Sequence, residues 1–154
     1  TASLGVLMGV EYVDSSLGKP RFSNYWPGSN NVSVDTNHPV KAFVADNPNQ
    51  LFQVASDATL TSKATAQAAV FANATLGTSA RSGSTSTGRS SSALSVSSIA
   101  TTATLGLRIV GIQDDEANSD YTAAGIPLIV RLNAHFNATT SRYDSQTTAT
   151  STGI

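Results

Sequence analysis

The chain has 154 residues and a formal net charge of −1, and only 12% of its residues are charged, about half the share found in an ordinary soluble domain. This length suits a single domain with one core, and the near-zero charge offers no electrostatic footprint for nucleic acid or an anionic membrane. The absence of cysteine excludes a disulfide framework, a thiol nucleophile and a zinc–thiolate site, and no apolar run approaches the roughly 20 residues that cross a bilayer.

Small hydroxyl side chains dominate the composition, with 22 serines and 19 threonines. A charge-poor, hydroxyl-rich chain is unusual for a metabolic enzyme. It is more typical of a protein built to assemble, because the centres of interfaces disfavour charge. The N-terminal residues show no basic region followed by an apolar one, so no secretory signal is visible and we expect an intracellularly made product.

Alternating apolar residues near the N-terminus predict a first strand. Residues 14–20 then carry Asp, Ser, Gly and Pro, which is turn chemistry. The loop 24–31 follows and holds the only tryptophan, Trp26. In a regular strand the apolar residues at every second position share one side: Leu4, Val6, Met8, Val10 and Tyr12.

Two short apolar runs, 40–45 and 51–55, predict further strands, and the sequence DNPN between them predicts a hairpin or a tight corner. Residues 63–76 are ambiguous, because their alanines favour helix whereas their threonines favour strand. We predict a strand there, with a short helix as the alternative. Residues 78–98 are low-complexity and Ser-rich. Such a composition cannot bury enough apolar surface to order itself, so an extended loop is predicted.

The C-terminal part holds the clearest strand patterns. Residues 104–112 predict one strand, and residues 126–136 predict another in which Pro127 stands near the start, where a strand tolerates proline. Arg131 and His135 fall on the polar side of this last strand, which makes His135 a surface or interface residue. The apolar side carries Ile126, Leu128, Val130, Leu132, Ala134 and Phe136.

Short strands joined by Gly, Pro and Asn turns predict an all-β fold, a small antiparallel β-sandwich or barrel. We expect one β-rich domain over residues 1–136, with the low-complexity loop 78–98 inside it, and a Ser/Thr-rich C-terminal arm over residues 137–154. No internal repeat and no second domain are visible.

The motifs that carry chemistry are weak. The acidic stretch 114–120 (DDEANSD) is rich in the oxygen ligands that calcium prefers, but its spacing does not match an EF-hand, and a solvated loop explains it equally well. His38 and His135 have no zinc-site spacing around them. We therefore predict no metal and no cofactor.

No catalytic pattern stands out among the many serines, since neither G-x-S-x-G nor S-x-x-K occurs. Only two glutamates are present, which disfavours a paired-carboxylate site. We predict that the chain is not an enzyme. Tyr12, Tyr25 and Trp26 could stack on sugar rings, although aromatic residues beside turns more often close the end of a β core.

Several segments together resemble a family of small virion proteins of tailed bacteriophages, the head decoration or capsid cement proteins. The main resembling segment is 41–54 (KAFVADNPNQLFQV), followed by 87–90 (TGRS), by 101–112 (TTATLGLRIVGI) and by 132–136 (LNAHF). The resemblance implies a non-enzymatic, β-rich protein that binds the outer surface of the capsid, bridges neighbouring capsomers and stabilises the shell.

The same resemblance implies a location in the virion, after synthesis in the host cytoplasm, with the major capsid protein and copies of the chain itself as partners and no nucleic acid or membrane. Extended Ser/Thr segments can add a strand to a neighbour's sheet edge. The alternative is a fibre or spike subunit that binds host glycans. The residues that we single out as candidate interface positions are Trp26, Arg81, Arg89, Arg131, His135 and Tyr143.

Overall fold

The computed structural model describes residues 3–77, 83–84, 86–113, 120–133 and 135–137. Within these residues the chain forms seven strands and one short α-helix. In chain order they are β1 (Val6–Asp14), β2 (Lys19–Ser23), β3 (Lys41–Ala45), β4 (Leu51–Ala55), α1 (Lys63–Ala68), β5 (Asn73–Ala74), β6 (Leu107–Ile112) and β7 (Pro127–Leu132).

The strands form two antiparallel sheets, a three-stranded first sheet in the order β2-β1-β3 and a four-stranded second sheet in the order β4-β7-β6-β5. The predicted all-β fold is confirmed, and two separate sheets fit a small β-sandwich and not a closed barrel. In the described parts of the chain, no helix is both long and apolar enough to cross a membrane.

The buried apolar cluster draws on the second sheet and on the segments that pack against it. Its centre is β7 together with Ile126, the residue before it, and the predicted alternation is confirmed at Ile126, Leu128 and Val130, all at most 2% exposed. β7 lies between β4 and β6, so its apolar side is flanked by apolar residues on both neighbours. The cluster contains Leu60, Ala66, Ala69, Ala74, Leu94, Leu107, Ile109, Ile126, Leu128 and Val130.

The predicted last strand is too long, because β7 ends at Leu132. The Asn133 side chain donates hydrogen bonds to the carbonyls of Ala103 and Leu105 and turns the chain out of the ladder. Strand alternation stops at this point. His135 is therefore buried and Phe136 is exposed, the reverse of the predicted faces.

β1 contains a bulge that changes which residues share a side. Leu7 lies opposite Val44 and Gly9 lies opposite Phe43, so Met8 is an extra residue in β1. The prediction that Val6 and Met8 share a side with Val10 is therefore wrong, since Leu7 takes that place. The register is set by pairing with β3, which no local alternation reveals.

Both strands predicted at residues 40–45 and 51–55 are confirmed, but they belong to different sheets. The connection between them is therefore a corner and not a hairpin. The Asn47 side chain accepts a hydrogen bond from the Asn49 backbone N–H, and the Asn47 carbonyl accepts one from the Gln50 N–H. These bonds form the tight turn that moves the chain from the first sheet to the second.

The ambiguous stretch 63–76 contains both predicted structures in succession. Ser62 caps α1, because its hydroxyl accepts a hydrogen bond from the Thr65 backbone N–H. Phe71 follows in the left-handed region, with φ of 69°, and the chain then enters β5. The helix propensity of alanine favours α1 in the first half of this stretch, and pairing with β6 forms β5 in the second half.

The low-complexity segment is ordered where its few apolar residues lie. Leu94 is fully buried in the core, its N–H donates to the Ala55 carbonyl, and its own carbonyl accepts from the Asp57 N–H. The Asp57 carboxylate in turn accepts from the Val96 N–H at 2.9 Å. The prediction that residues 78–98 cannot bury apolar surface is therefore wrong for this part, because backbone pairing with the end of β4 holds Leu94 in the core.

Candidate interaction surfaces

One face of the first sheet carries several exposed apolar side chains, and we call it the outer face. Directly opposed residues share a face, so the register places Phe22 beside Glu11, and Phe43 beside Gly9. Phe22 is 71% exposed and Phe43 is 49% exposed. Sequence reasoning singled out neither phenylalanine. The complete outer face comprises Val6, Gly9, Glu11, Val13, Pro20, Phe22, Lys41, Phe43 and Ala45.

The outer face carries no net charge. Its two charged residues pair with each other, with 3.7 Å between Lys41 Nζ and Glu11 Oε1. The Lys41 side chain is 65% exposed, so this pair contributes little to stability. It does leave the face neutral, which suits contact with another neutral, apolar surface.

The loop that contains Trp26 packs against the inner face of the first sheet at Tyr12. Tyr12 is buried, and the Trp26 ring packs against it edge-to-face, with the ring centroids 5.9 Å apart and an interplanar angle of 82°. This is the geometry of aromatic residues that close the end of a β core. Trp26 remains partly exposed, and its proposed role at an interface stays a prediction.

Arg89 lies on a short turn that approaches the first sheet. The Ser84 N–H donates to the Arg89 carbonyl, and the Asn24 side chain donates to the Thr87 carbonyl at 2.8 Å. Between this turn and the start of β1 is a groove of about 540 Å³. Arg89 is exposed beside this groove, so its side chain is placed where a partner could reach it.

Arg131 is half-buried on the side of the second sheet that faces away from the core. It lies directly opposite Arg108 on β6 and beside Leu51 on β4. Two positive charges in directly opposed positions repel each other. The Arg108 guanidinium donates a hydrogen bond to the Phe71 carbonyl at 3.4 Å, and the interface role of Arg131 stays a prediction.

Three candidate residues remain: His135, Arg81 and Tyr143. His135 is 1% exposed, and its Nδ1 accepts a hydrogen bond from the Asn137 backbone N–H at 3.0 Å. The predicted surface position of His135 is therefore wrong, because the chain has left the strand before reaching it. Arg81 and Tyr143 lie outside the described residues.

The acidic stretch 114–120 is described only at Asp120, whose carboxylate accepts hydrogen bonds from the hydroxyl and the backbone N–H of Thr122. These two bonds lower the pKa of Asp120 below its ordinary value of 3.8. The Asp35 carboxylate accepts from the Asn37 N–H and contacts His38 Nδ1. No group of three His, Asp or Glu side chains in the described residues converges on a metal position.

Replacing Thr122 with valine is expected to raise the pKa of Asp120 towards 3.8, because the largest cause of its lowering is the Thr122 hydroxyl. A carboxyl group whose pKa is lowered on folding stabilises its turn at neutral pH and loses this effect as the pH falls through the lowered pKa. An NMR titration of the carboxyl carbons measures the change. Asp35 is the internal control, since its pKa is lowered by Asn37 and His38. An unchanged pKa for Asp120 in the variant would contradict the assignment.

Comparisons with protein-family models, with curated proteins and with solved structures found no match to this chain.

Proposed function

We propose that the chain is a non-enzymatic structural protein of a tailed-bacteriophage head, which binds the outer surface of the capsid and stabilises the shell by bridging neighbouring capsomers. The observation that carries the proposal is the exposed, neutral outer face of the first sheet, centred on Phe22 and Phe43. Contiguous exposed apolar patches on soluble proteins mark interaction sites. A chain with only 12% charged residues suits a permanent place in an assembly.

The identity of the partner rests on the resemblance of residues 41–54 to head decoration proteins. In the fold this segment forms β3, the corner at Asn47 and β4, so it contributes one edge strand to each sheet. Several of its side chains are exposed, including Phe43 and Leu51. Phe52 and Val54 of this segment pack against the core. The core does not account for the exposed Phe43 and Leu51, and contact with a shell would.

The physical basis of the proposed binding is many weak apolar contacts. Each copy contributes a face without net charge, so binding is expected to depend little on salt, in contrast to contacts between exposed ions. A shell offers the same site many times. Copies that each bridge two capsomers then gain from effective concentration without any single strong contact.

Replacing Phe22 with serine is expected to weaken binding to capsids that lack this protein by roughly tenfold to a hundredfold, because burying one phenylalanine contributes about 1.5–3 kcal/mol. Phe22 is mostly exposed in the free chain, so the variant should fold. The matched control is Leu76→Ser, which removes a 49% exposed apolar side chain outside the outer face. Sedimentation of the chain with capsids over a range of concentrations measures the affinity.

The proposal also predicts the behaviour of the shell. Capsids that lack the protein should be less resistant to heat than complete capsids. Adding the wild-type chain or the Leu76→Ser variant should restore the heat resistance. The Phe22→Ser variant should restore it only at a higher concentration. Failure of the wild-type chain to bind, with unchanged heat resistance of the capsids, would overturn the proposal. Equal binding by both variants would show that the outer face is not the contact.

A further inference from the structure

We propose that two copies of this chain pair through the free edges of their β3 strands, which joins the two first sheets into one antiparallel six-stranded sheet. Among the described residues, β3 pairs with β1 alone. No backbone hydrogen bond joins its other side to any described segment. An open edge is a row of unpaired N–H and C=O groups, which is a template for a further strand.

The other sheet edges are less suitable. β2 carries Lys19, Pro20 and Arg21, and charged residues and proline on an edge strand are the usual protection against pairing. β4 is covered at one end, where the Ala55 carbonyl accepts from Leu94, and its first carbonyl, that of Leu51, accepts from a glutamine side chain. β5 exchanges two backbone hydrogen bonds with the segment at residue 100. Among the described strands, β3 has the edge with the least protection, since its one charged residue, Lys41, lies at its first position and pairs with Glu11.

The sequence of β3 is self-complementary in an antiparallel pair. A two-fold axis at Phe43 pairs all five residues of the strand, with Phe43 opposite its own copy, Lys41 opposite Ala45, and Ala42 opposite Val44. Aromatic pairs in this position are favourable. The two copies of Lys41 lie at opposite ends of the ladder, and each already has Glu11 as its partner.

A two-fold axis at the centre of β2 would not give a favourable pair of strands. An axis at its central residue would place Arg21 opposite its own copy, and Pro20 would offer no N–H to the ladder. Like charges in directly opposed positions are unfavourable. The occupant that fits the open edge of β3 is thus a second copy of this chain, related by a two-fold axis and using the same residues on both sides.

A cysteine at the axis tests the geometry, because the chain has none of its own. Opposed residues in an antiparallel pair have Cα atoms about 4.5–5.5 Å apart, within the roughly 4.4–6.8 Å that a disulfide spans. Phe43→Cys is expected to form a disulfide-linked dimer at least about tenfold faster than Phe22→Cys, since pairing raises the effective thiol concentration. Phe22 is the matched control, because it is an exposed aromatic residue on the same face but on the other edge strand. Equal rates, or no dimer from Phe43→Cys, would overturn the proposal.

A charge-exchange experiment separates loss of pairing from loss of folding. The Phe43→Lys and Phe43→Glu variants each place like charges opposite each other at the two-fold axis. Each variant alone should therefore be monomeric at concentrations where the wild-type chain is dimeric. An equimolar mixture of the two should form a heterodimer, because the opposed charges then attract. Analytical ultracentrifugation measures all four samples. A monomeric wild-type chain at every concentration, or no heterodimer in the mixture, would refute the pairing. Neither result requires capsids, so failure here is distinct from failure of the proposed function.

Discussion

Replacing Leu94 with alanine is expected to lower the free energy of unfolding by about 2–5 kcal/mol, the range for buried leucines that leave a cavity. Leu94 is fully buried although it lies in the Ser-rich segment, and it contacts the core formed by the second sheet. The loss is large relative to the roughly 5–15 kcal/mol that stabilise a typical domain. Urea denaturation should show a lower midpoint with an unchanged slope.

The control for this experiment is Leu76→Ala. Leu76 forms a bridge with Leu94 but is 49% exposed, so the same change of residue should cost well under half as much. Equal effects of the two substitutions would mean that Leu94 does not lie in the core. That result would support the sequence-based expectation of an extended, solvated loop.

Replacing Gly5 with alanine is expected to cost about 1–3 kcal/mol, because it forces an extra carbon into a closed space. A Cβ atom at Gly5 would lie 2.1 Å from the Ala45 carbonyl oxygen and 2.8 Å from Val44 Cγ1. The obstacle is backbone, which can move only by opening the end of the β1–β3 ladder, where Val6 pairs with Ala45. Thermal unfolding measured by circular dichroism reports the loss.

Gly106→Ala is the matched control, since no atom lies within 4 Å of a Cβ placed there. The φ of Gly106 is not in the positive region, so alanine fits its backbone conformation. The substitution should leave the free energy of unfolding unchanged or raise it by about 0.4–1 kcal/mol, because alanine lowers the conformational entropy of the unfolded chain. If Gly5→Ala unfolded at the same temperature as Gly106→Ala, the start of β1 would not pack against β3 as described.

The strands were largely predictable because their signal is local. The alternation of Leu128 and Val130 requires one face of a strand to be buried, and the structure buries both. The runs at β3 and β4 were equally visible. What alternation cannot reveal is the partner of each strand, and so a corner between two sheets could not be distinguished from a hairpin.

The errors arose where contacts distant in sequence overrode a local pattern. The bulge at Met8 depends on the register with β3, and the end of β7 depends on hydrogen bonds from Asn133 to residues about 30 positions earlier. Leu94 lies among serines, so no local pattern marks it as a core residue, yet it is buried and its backbone N–H donates to the Ala55 carbonyl. Such contacts follow from the fold and are not written in any short window of sequence.

The candidate surface was less predictable than the fold. A single apolar residue such as Phe22 is normal on a protein surface, and only the register with β1 places it on the same face as Phe43. Of the charged candidates, Arg89 and Arg131 have positions in the fold, and His135 proved to be buried. Sequence reasoning favoured charged and aromatic residues and overlooked an apolar sheet face.

The arrangement of β4 beside β7 has a consequence for how the chain folds. The first sheet joins strands that are close in sequence, whereas β4 (Leu51–Ala55) pairs with β7 (Pro127–Leu132) across about half the chain. Pairings of such high contact order form slowly, and during synthesis from the N-terminus β4 emerges long before its partner. The first sheet can therefore form while the second is still open. An apolar β4 edge remains exposed throughout this interval, which makes the nascent chain more prone to aggregation than the finished protein.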